Sequence, residues 1–183
     1  MSFSQQVKKE IVGKEITATC CVTAACYGIA CFGKYFDTRG VVLHTERAYI
    51  ANWAQQMYEQ AGVRGEVKRR NGKADSYEFA VKDSFEVEKM LALFSHSGDE
   101  TTLHIRRENL ECDRCFAAFV AAAFLCGGVV INPEKGYLLE FVSPRFSMMR
   151  DFAALLQEKG FLPGSARRKG YNVLYFKASE QIE

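Results

Sequence analysis

The run Thr23-Ala24-Ala25-Cys26-Tyr27-Gly28-Ile29-Ala30-Cys31-Phe32-Gly33 returns as Ala117-Ala118-Phe119-Val120-Ala121-Ala122-Ala123-Phe124-Leu125-Cys126-Gly127. The parallel continues downstream. A helix-like run ending in Gly62 answers one ending in Gly160, and Arg69-Arg70-Asn71-Gly72 answers Arg167-Arg168-Lys169-Gly170. Two copies are too few for a stacked solenoid, so they predict one pseudo-symmetric body. Ala24, Ala25, Gly28 and Cys31 recur at three- and four-residue steps, as do Ala118, Ala121, Ala122 and Leu125. Small residues at that spacing let two helix backbones approach closely, so the duplicated helix is the expected joint.

Working outward, helices are expected over 19–32 and 48–61, stopped by Gly33 and Gly62, and over 85–94. Between them lie strand candidates 35–38, 41–45, 66–70 and 76–81. The last two are joined through Asn71-Gly72-Lys73, a strong hairpin signal. The second copy repeats the order. It has helices at 112–126 and 145–159, a hairpin of 129–131 with 137–142, and another of 165–168 with 172–176. Each copy therefore reads α-β-β-α-β-β-α, an α+β class with antiparallel sheets and helices on one face. The expected division is an N-terminal helix over 1–18, a first repeat over 19–94, a connection over 95–111 and a second repeat over 112–183. Ser4 reads as the N-cap of the first helix, with Val7 and Ile11 on one face.

Bulk composition excludes little. The chain has 183 residues, 48% hydrophobic and 25% charged, with a formal charge of +2. That is ordinary for a soluble protein, and any nucleic-acid claim must rest on local patches. No signal peptide is read at the start, and the longest apolar run, 116–130, is too short to span a membrane. A cytoplasmic monomer is expected. Seven cysteines suit free thiols, several of them packing as small hydrophobes in apolar helices. Cys20-Cys21 and Cys112-x-x-Cys115 precede the duplicated helices. Adjacent cysteines chelate one ion poorly, so no metal and no cofactor is expected. His44, His96 and His104 have no acid or cysteine at metal-site spacing, and no phosphate-cradling loop or serine elbow is present.

A small-residue helix at a two-fold joint followed by a hairpin resembles the LAGLIDADG homing endonucleases. The chain is more specifically similar to the WhiA transcription regulators of Gram-positive bacteria. This rests on Phe124-Leu125-Cys126-Gly127-Gly128, on Asn132-Pro133-Glu134-Lys135-Gly136-Tyr137-Leu138-Leu139-Glu140-Phe141-Val142-Ser143, and on Arg167-Arg168-Lys169-Gly170-Tyr171 with Tyr175 and Lys177. Met1-Ser2-Phe3-Ser4 with Val7, Lys8 and Glu10 adds to it. The likeness is strong over 112–183 and at the start, and thin over 34–110. It implies a duplicated LAGLIDADG-like fold and a setting in sporulation or cell division. WhiA proteins normally continue into a helix-turn-helix domain, so only the N-terminal part is matched.

An active LAGLIDADG nuclease ends each duplicated helix in an acid that holds divalent metal. The matching positions are Gly33 and Gly127, and the nearest acids, Asp37 and Glu140, lie on strands. The chain is therefore expected not to be an enzyme. Lys34, Arg39, Lys68, Arg69, Arg70, Lys73, Lys135, Arg167, Arg168 and Lys169 flank equivalent hairpins and are the candidate contacts to double-stranded DNA. Strand alternation keeps Arg69 and Arg70 from facing the same way. A regulatory protein, or the helix-turn-helix domain itself, is the alternative partner. The nuclease is the remote one.

Overall fold

The computed structural model describes residues 1–72 and 75–183; Lys73 lies outside them. The elements follow the duplicated order. Helix α1 spans Phe3–Val12. The first copy then gives α2 (Thr19–Phe32), β1 (Tyr35–Asp37), β2 (Gly40–Thr45), α3 (Ala48–Gln60), β3 (Glu66–Arg69), β4 (Tyr77–Val81) and α4 (Ser84–Phe94). The second gives α5 (Asp113–Gly127), β5 (Gly128–Val130), β6 (Leu139–Ser143), α6 (Phe146–Glu158), β7 (Gly164–Arg168), β8 (Tyr171–Phe176) and a short α7 (Ser179–Ile182). The two sheets have the same order, β1-β2-β4-β3 and β5-β6-β8-β7, with every neighbour antiparallel. No helix among the described residues is long and apolar enough to cross a membrane.

The joint is α2 against α5. Ala24, Ala25, Cys31 and Ala122 are fully buried, while Ala121 is only partly so. Gly28 marks the closest approach, since a Cβ there would stand 2.7 Å from Ala122 Cβ and 2.9 Å from the Phe119 carbonyl oxygen. Aromatic rings carry the core across it. Tyr27 meets Phe119 at 6.0 Å, and Phe32 meets Phe152 of α6 at 5.4 Å. Edge and tilted ring pairs of this kind add about 1 kcal/mol each beyond their buried area.

Two local expectations change. Ser2, not Ser4, caps α1, in a capping box with Gln5. The Ser2-x-x-Gln5 spacing satisfies two helix-end donors at once, which releases Ser4. Its hydroxyl donates to the Val130 carbonyl at 2.7 Å and accepts from the Val130 N–H at 2.8 Å, so α1 is pinned to β5 of the second copy. Strand β6 starts at Leu139 rather than at 137, because Pro133–Lys135 form a 3-10 turn ending at Gly136, whose φ is +137°.

The connection over 95–111 is anchored, not loose. The buried Tyr27 hydroxyl lies 2.7 Å from His96 Nε2 and accepts the Arg106 N–H at 2.8 Å. Glu100 accepts from the Ser97 and Gly98 N–H groups at 3.0 and 2.9 Å, with His96 Nδ1 3.0 Å away. Burial would raise the Glu100 carboxyl, but these donors prevail and hold it at about 2. A depressed carboxyl stabilises the fold above its unfolded value and loses that contribution as pH falls toward its folded one. Thermal unfolding between pH 5 and pH 2 is therefore expected to lose about 2 kcal/mol through this group alone. Glu100→Gln should flatten that slope, and an unchanged slope would refute the assignment.

Candidate nucleic-acid interface

Ladder register decides which candidates share a surface, because successive residues of a strand face opposite sides. In the first sheet Leu43, Val67 and Phe79 stand side by side in the core. The opposite, open face therefore carries Val42, Ala80 and Glu66 in one row and His44, Glu78 and Lys68 in the next. Arg70, two residues beyond Lys68, continues this face, and its guanidinium bonds the Ser76 hydroxyl at 3.2 Å. In the second sheet Phe141 and Leu174 face the core, which leaves Glu140, Tyr175, Val142, Val173, Ala166 and Arg168 on the open side.

Arg69 and Arg167 fall on the helix side. Arg69 shares parity with Val67, and Arg167 lines a depression with Phe146, Met149 and Arg150 of α6. The candidate set thus splits the same way in both copies. Arg70 and Arg168 face outward, and Arg69 and Arg167 face the helices. Lys34, Lys135 and Lys169 are exposed in loops and turns, as is Arg39 between β1 and β2. Lys169 takes φ of +51° ahead of Gly170 at +83°, a tight hairpin tip.

Most of the open-face charge is already paired. Arg39 bonds Asp37 at 2.7 Å, Lys82 and His44 bond Glu78 at 3.2 and 2.8 Å, and Arg168 bonds Glu140 at 2.6 Å. Lys68 lies 3.9 Å from Glu66. The Arg39 hydrogen bonds hold the Asp37 carboxyl below its usual range. Asp37 and Glu140, the acids nearest the helix ends in sequence, are therefore balancing groups for arginines. Pairs this exposed are worth less than about 1 kcal/mol each, so a phosphate can compete for the cation. Each histidine also has an acid partner, two of them distant in sequence and one, Glu100, four residues from His96. His104 Nδ1 lies 2.9 Å from Asp151, alongside the His44–Glu78 and His96–Glu100 pairs.

The helix ends lack both the acid and the space for one. A Cβ on Gly33 would meet the Val42 carbonyl oxygen at 2.7 Å, and one on Gly127 would meet that of Val142 at 2.6 Å. Both clashes are with backbone of the adjoining strand, which cannot rotate away. A cation also sits at the end of α2. The largely buried Arg145 guanidinium donates to the carbonyls of Ala30 and Cys31. Sequence reading missed Arg145, although the repeat carried a signal. Thr45-Glu46-Arg47 answers Ser143-Pro144-Arg145, and in each the threonine or serine hydroxyl accepts the arginine N–H at 3.2 Å.

Residues 116–183 match the WhiA LAGLIDADG-like domain family. Over the whole chain, a protein of Ruminiclostridium cellulolyticum named probable cell division protein WhiA is 30% identical, and the alignment covers 61% of that protein. A Clostridium botulinum protein of the same name is also 30% identical, with 62% of it covered. The chain thus spans about three fifths of the length of these curated relatives. Among solved structures, the N-terminal LAGLIDADG domain of DUF199/WhiA superposes with a TM-score of 0.76 at 16% identity, over 99% of this chain and 86% of that one. Full-length DUF199/WhiA from Thermatoga maritima gives 0.73 at 18% identity, over 100% of this chain and 59% of that one. I-DmoI in complex with DNA and Mn gives 0.59 at 14% identity, over 90% and 93%. Residues 116–183 thus carry a match to the WhiA LAGLIDADG-like domain, and the whole chain is similar in sequence to WhiA proteins and in fold to their N-terminal LAGLIDADG domain.

Proposed function

We propose that this chain is the non-catalytic, DNA-contacting part of a WhiA-type transcription regulator acting at the bacterial nucleoid. The observation that carries the reading is the pair of equivalent open sheet faces, each presenting an outward arginine, Arg70 and Arg168, at the same place in its repeat. A duplex laid across the pseudo-dyad meets both. That I-DmoI, a protein of the same fold, is found in complex with DNA supports DNA contact as a use of this fold. Lys68, Lys34, Lys135, Lys169 and Arg39 extend the footprint, and Arg69 and Arg167 stand outside it. Catalysis is not part of the reading. Gly33 and Gly127 offer no metal ligand, and the adjacent strand backbone leaves no room for one. Magnesium-dependent nicking of plasmid is expected to be absent.

Because the open-face cations are mostly paired, affinity should be weak and salt-dependent. A dissociation constant of about 1 to 100 μM at physiological salt is typical of such electrostatic binding. The test is fluorescence anisotropy on a duplex. Combined Lys68→Glu, Arg70→Glu and Arg168→Glu should weaken binding about tenfold or more and flatten the salt slope. Arg69→Glu with Arg167→Glu should change it less than about threefold. Equal losses from both sets would sink the assigned face.

A second reading has its own observation. The open side of the second sheet exposes Val129 and Tyr171, each 49% accessible, beside Ala166. An apolar strip on that face suits a protein partner or the helix-turn-helix part of WhiA relatives. Capture of such a partner that survives high salt, with DNA binding lost, would favour it.

A further inference from the structure

Fourteen-residue α2 and fifteen-residue α5 begin side by side, and their first turns bring four thiols together. The sulfurs of Cys20, Cys21, Cys112 and Cys115 all lie within 4.8 Å of one another. Cys20 and Cys21 are each 3.8 Å from Cys112, Cys112 is 3.5 Å from Cys115, and Cys115 is 3.9 Å from Cys21. Four sulfurs held tetrahedrally about 2.3 Å from one zinc ion stand about 3.8 Å apart along each edge. The thiols are thus already spaced as the ligand set of a single ion. An iron–sulfur cluster would need them further apart, since each iron takes its own thiolate around the cluster core.

We propose that Cys20, Cys21, Cys112 and Cys115 form a tetrathiolate site for one Zn2+ that staples the first turns of the two central helices. The adjacency of Cys20 and Cys21 counts against a site only while those two act alone. Here Cys112-x-x-Cys115, a usual zinc spacing, arrives from the other copy and supplies the other half. Cys21 and Cys115 are buried, Cys20 is half-exposed and Cys112 is exposed. Two ligands are therefore fixed by packing, and the other two leave an entry path. Neither helix has a side-chain cap on its free N–H groups. Both positive helix ends thus face the excess negative charge of a zinc tetrathiolate. Binding one Zn2+ releases the protons of the thiols that become thiolates.

The site is structural. It lies at the far end of α2 and α5 from Gly33 and Gly127, about 20 Å along the helices, so it plays no part in nuclease-type chemistry. Each pair of ligands comes from a different copy, so the ion cross-links the repeats at the end of the joint opposite Arg145.

The test uses the whole chain, purified reduced and without added metal or chelator. About one zinc per chain is expected by elemental analysis. Exchange with Co2+ alone should produce the intense visible bands of a tetrahedral cobalt thiolate. Removal of the metal should lower the unfolding midpoint by on the order of 10 °C. Cys20→Ser with Cys112→Ser should abolish metal retention, while Cys126→Ser, near the opposite end of α5, should keep it. The proposal is overturned by reduced wild-type protein that retains no zinc and yields no cobalt thiolate spectrum. Stoichiometric iron with sulfide, or equal metal loss from Cys126→Ser, also overturns it. If the double variant fails to fold, the wild-type cobalt spectrum decides.

Discussion

Gly28→Val is expected to lower the unfolding midpoint by about 10 °C, corresponding to roughly 3 kcal/mol or more at this chain length. The cause is the geometry of the α2–α5 joint. An ideal Cβ at position 28 meets Ala122 Cβ at 2.7 Å and the Phe119 carbonyl oxygen at 2.9 Å. Carbon atoms pack at about 3.5 to 4.0 Å, so the helices must separate by about 1 Å before even the first carbon fits. The obstacle is α5 backbone and a methyl group already at its shortest, neither of which can rotate aside. Separation also loosens the ring contacts of Tyr27 with Phe119 and of Phe32 with Phe152. A glycine inside a helix costs about 1 kcal/mol relative to alanine, so close packing must outweigh that cost here. Gly62→Ala is the comparison. Gly62 has φ of +85° with nothing within 4 Å of a Cβ, so the only cost is added backbone strain of about 1 kcal/mol. Urea unfolding followed by circular dichroism and by Trp53 fluorescence measures both variants. If Gly28→Val melted no lower than Gly62→Ala, the joint would be looser than its distances imply.

That joint was legible in the sequence because it is local information written twice. Small residues at helical steps, a glycine stop and a repeat of both are enough to place α2 and α5 and to pair them. The hairpins were legible for a similar reason, since Asn71-Gly72 and Lys169-Gly170 demand tight turns. What the sequence did not show depends on where distant segments meet. Cys20 and Cys112 are 92 positions apart, and only the pseudo-two-fold pairing of the two copies, with α2 and α5 starting side by side, brings their sulfurs to 3.8 Å. The split of Arg69 and Arg167 from Arg70 and Arg168 needed the core side of each strand to be known. Alternation alone says that neighbours differ, but not which of them points inward. Ser4 shows the same limit. It is a good capping residue, and its actual bonds are with Val130 of the second copy.

Arg145 is the clearest example of a residue that sequence reading missed, and replacing it is the second large effect expected. Its side chain comes from the start of α6 in the second copy and ends on the last turn of α2 in the first, where it donates to Ala30 and Cys31. Those carbonyls are the negative end of the helix dipole, and no later turn of helix can satisfy them. Burial lowers the Arg145 pKa, opposed by the Cys31, Asp37 and Cys126 groups nearby, and an arginine so placed stays charged at neutral pH. Hydrogen bonds to a charged donor contribute about 1.5 to 3 kcal/mol. Arg145→Met leaves the carbonyls buried and unpaired and is expected to cost about 3 kcal/mol, or 6 to 12 °C of midpoint. Arg145→Lys keeps the charge but not the planar fork, so it should fall between the two. Arg145→Glu should be the worst, because it sets a carboxylate against the negative helix end. Arg150→Met, at an exposed position over the Phe146 ring, should change stability by less than about 0.5 kcal/mol. The order Arg, Lys, Met, Glu separates an electrostatic cap from plain packing, because packing alone would rank methionine level with lysine. An acid restored at Gly33 should not restore cutting, because its first side-chain carbon would stand 2.7 Å from the Val42 carbonyl oxygen, at a helix end already held by Arg145.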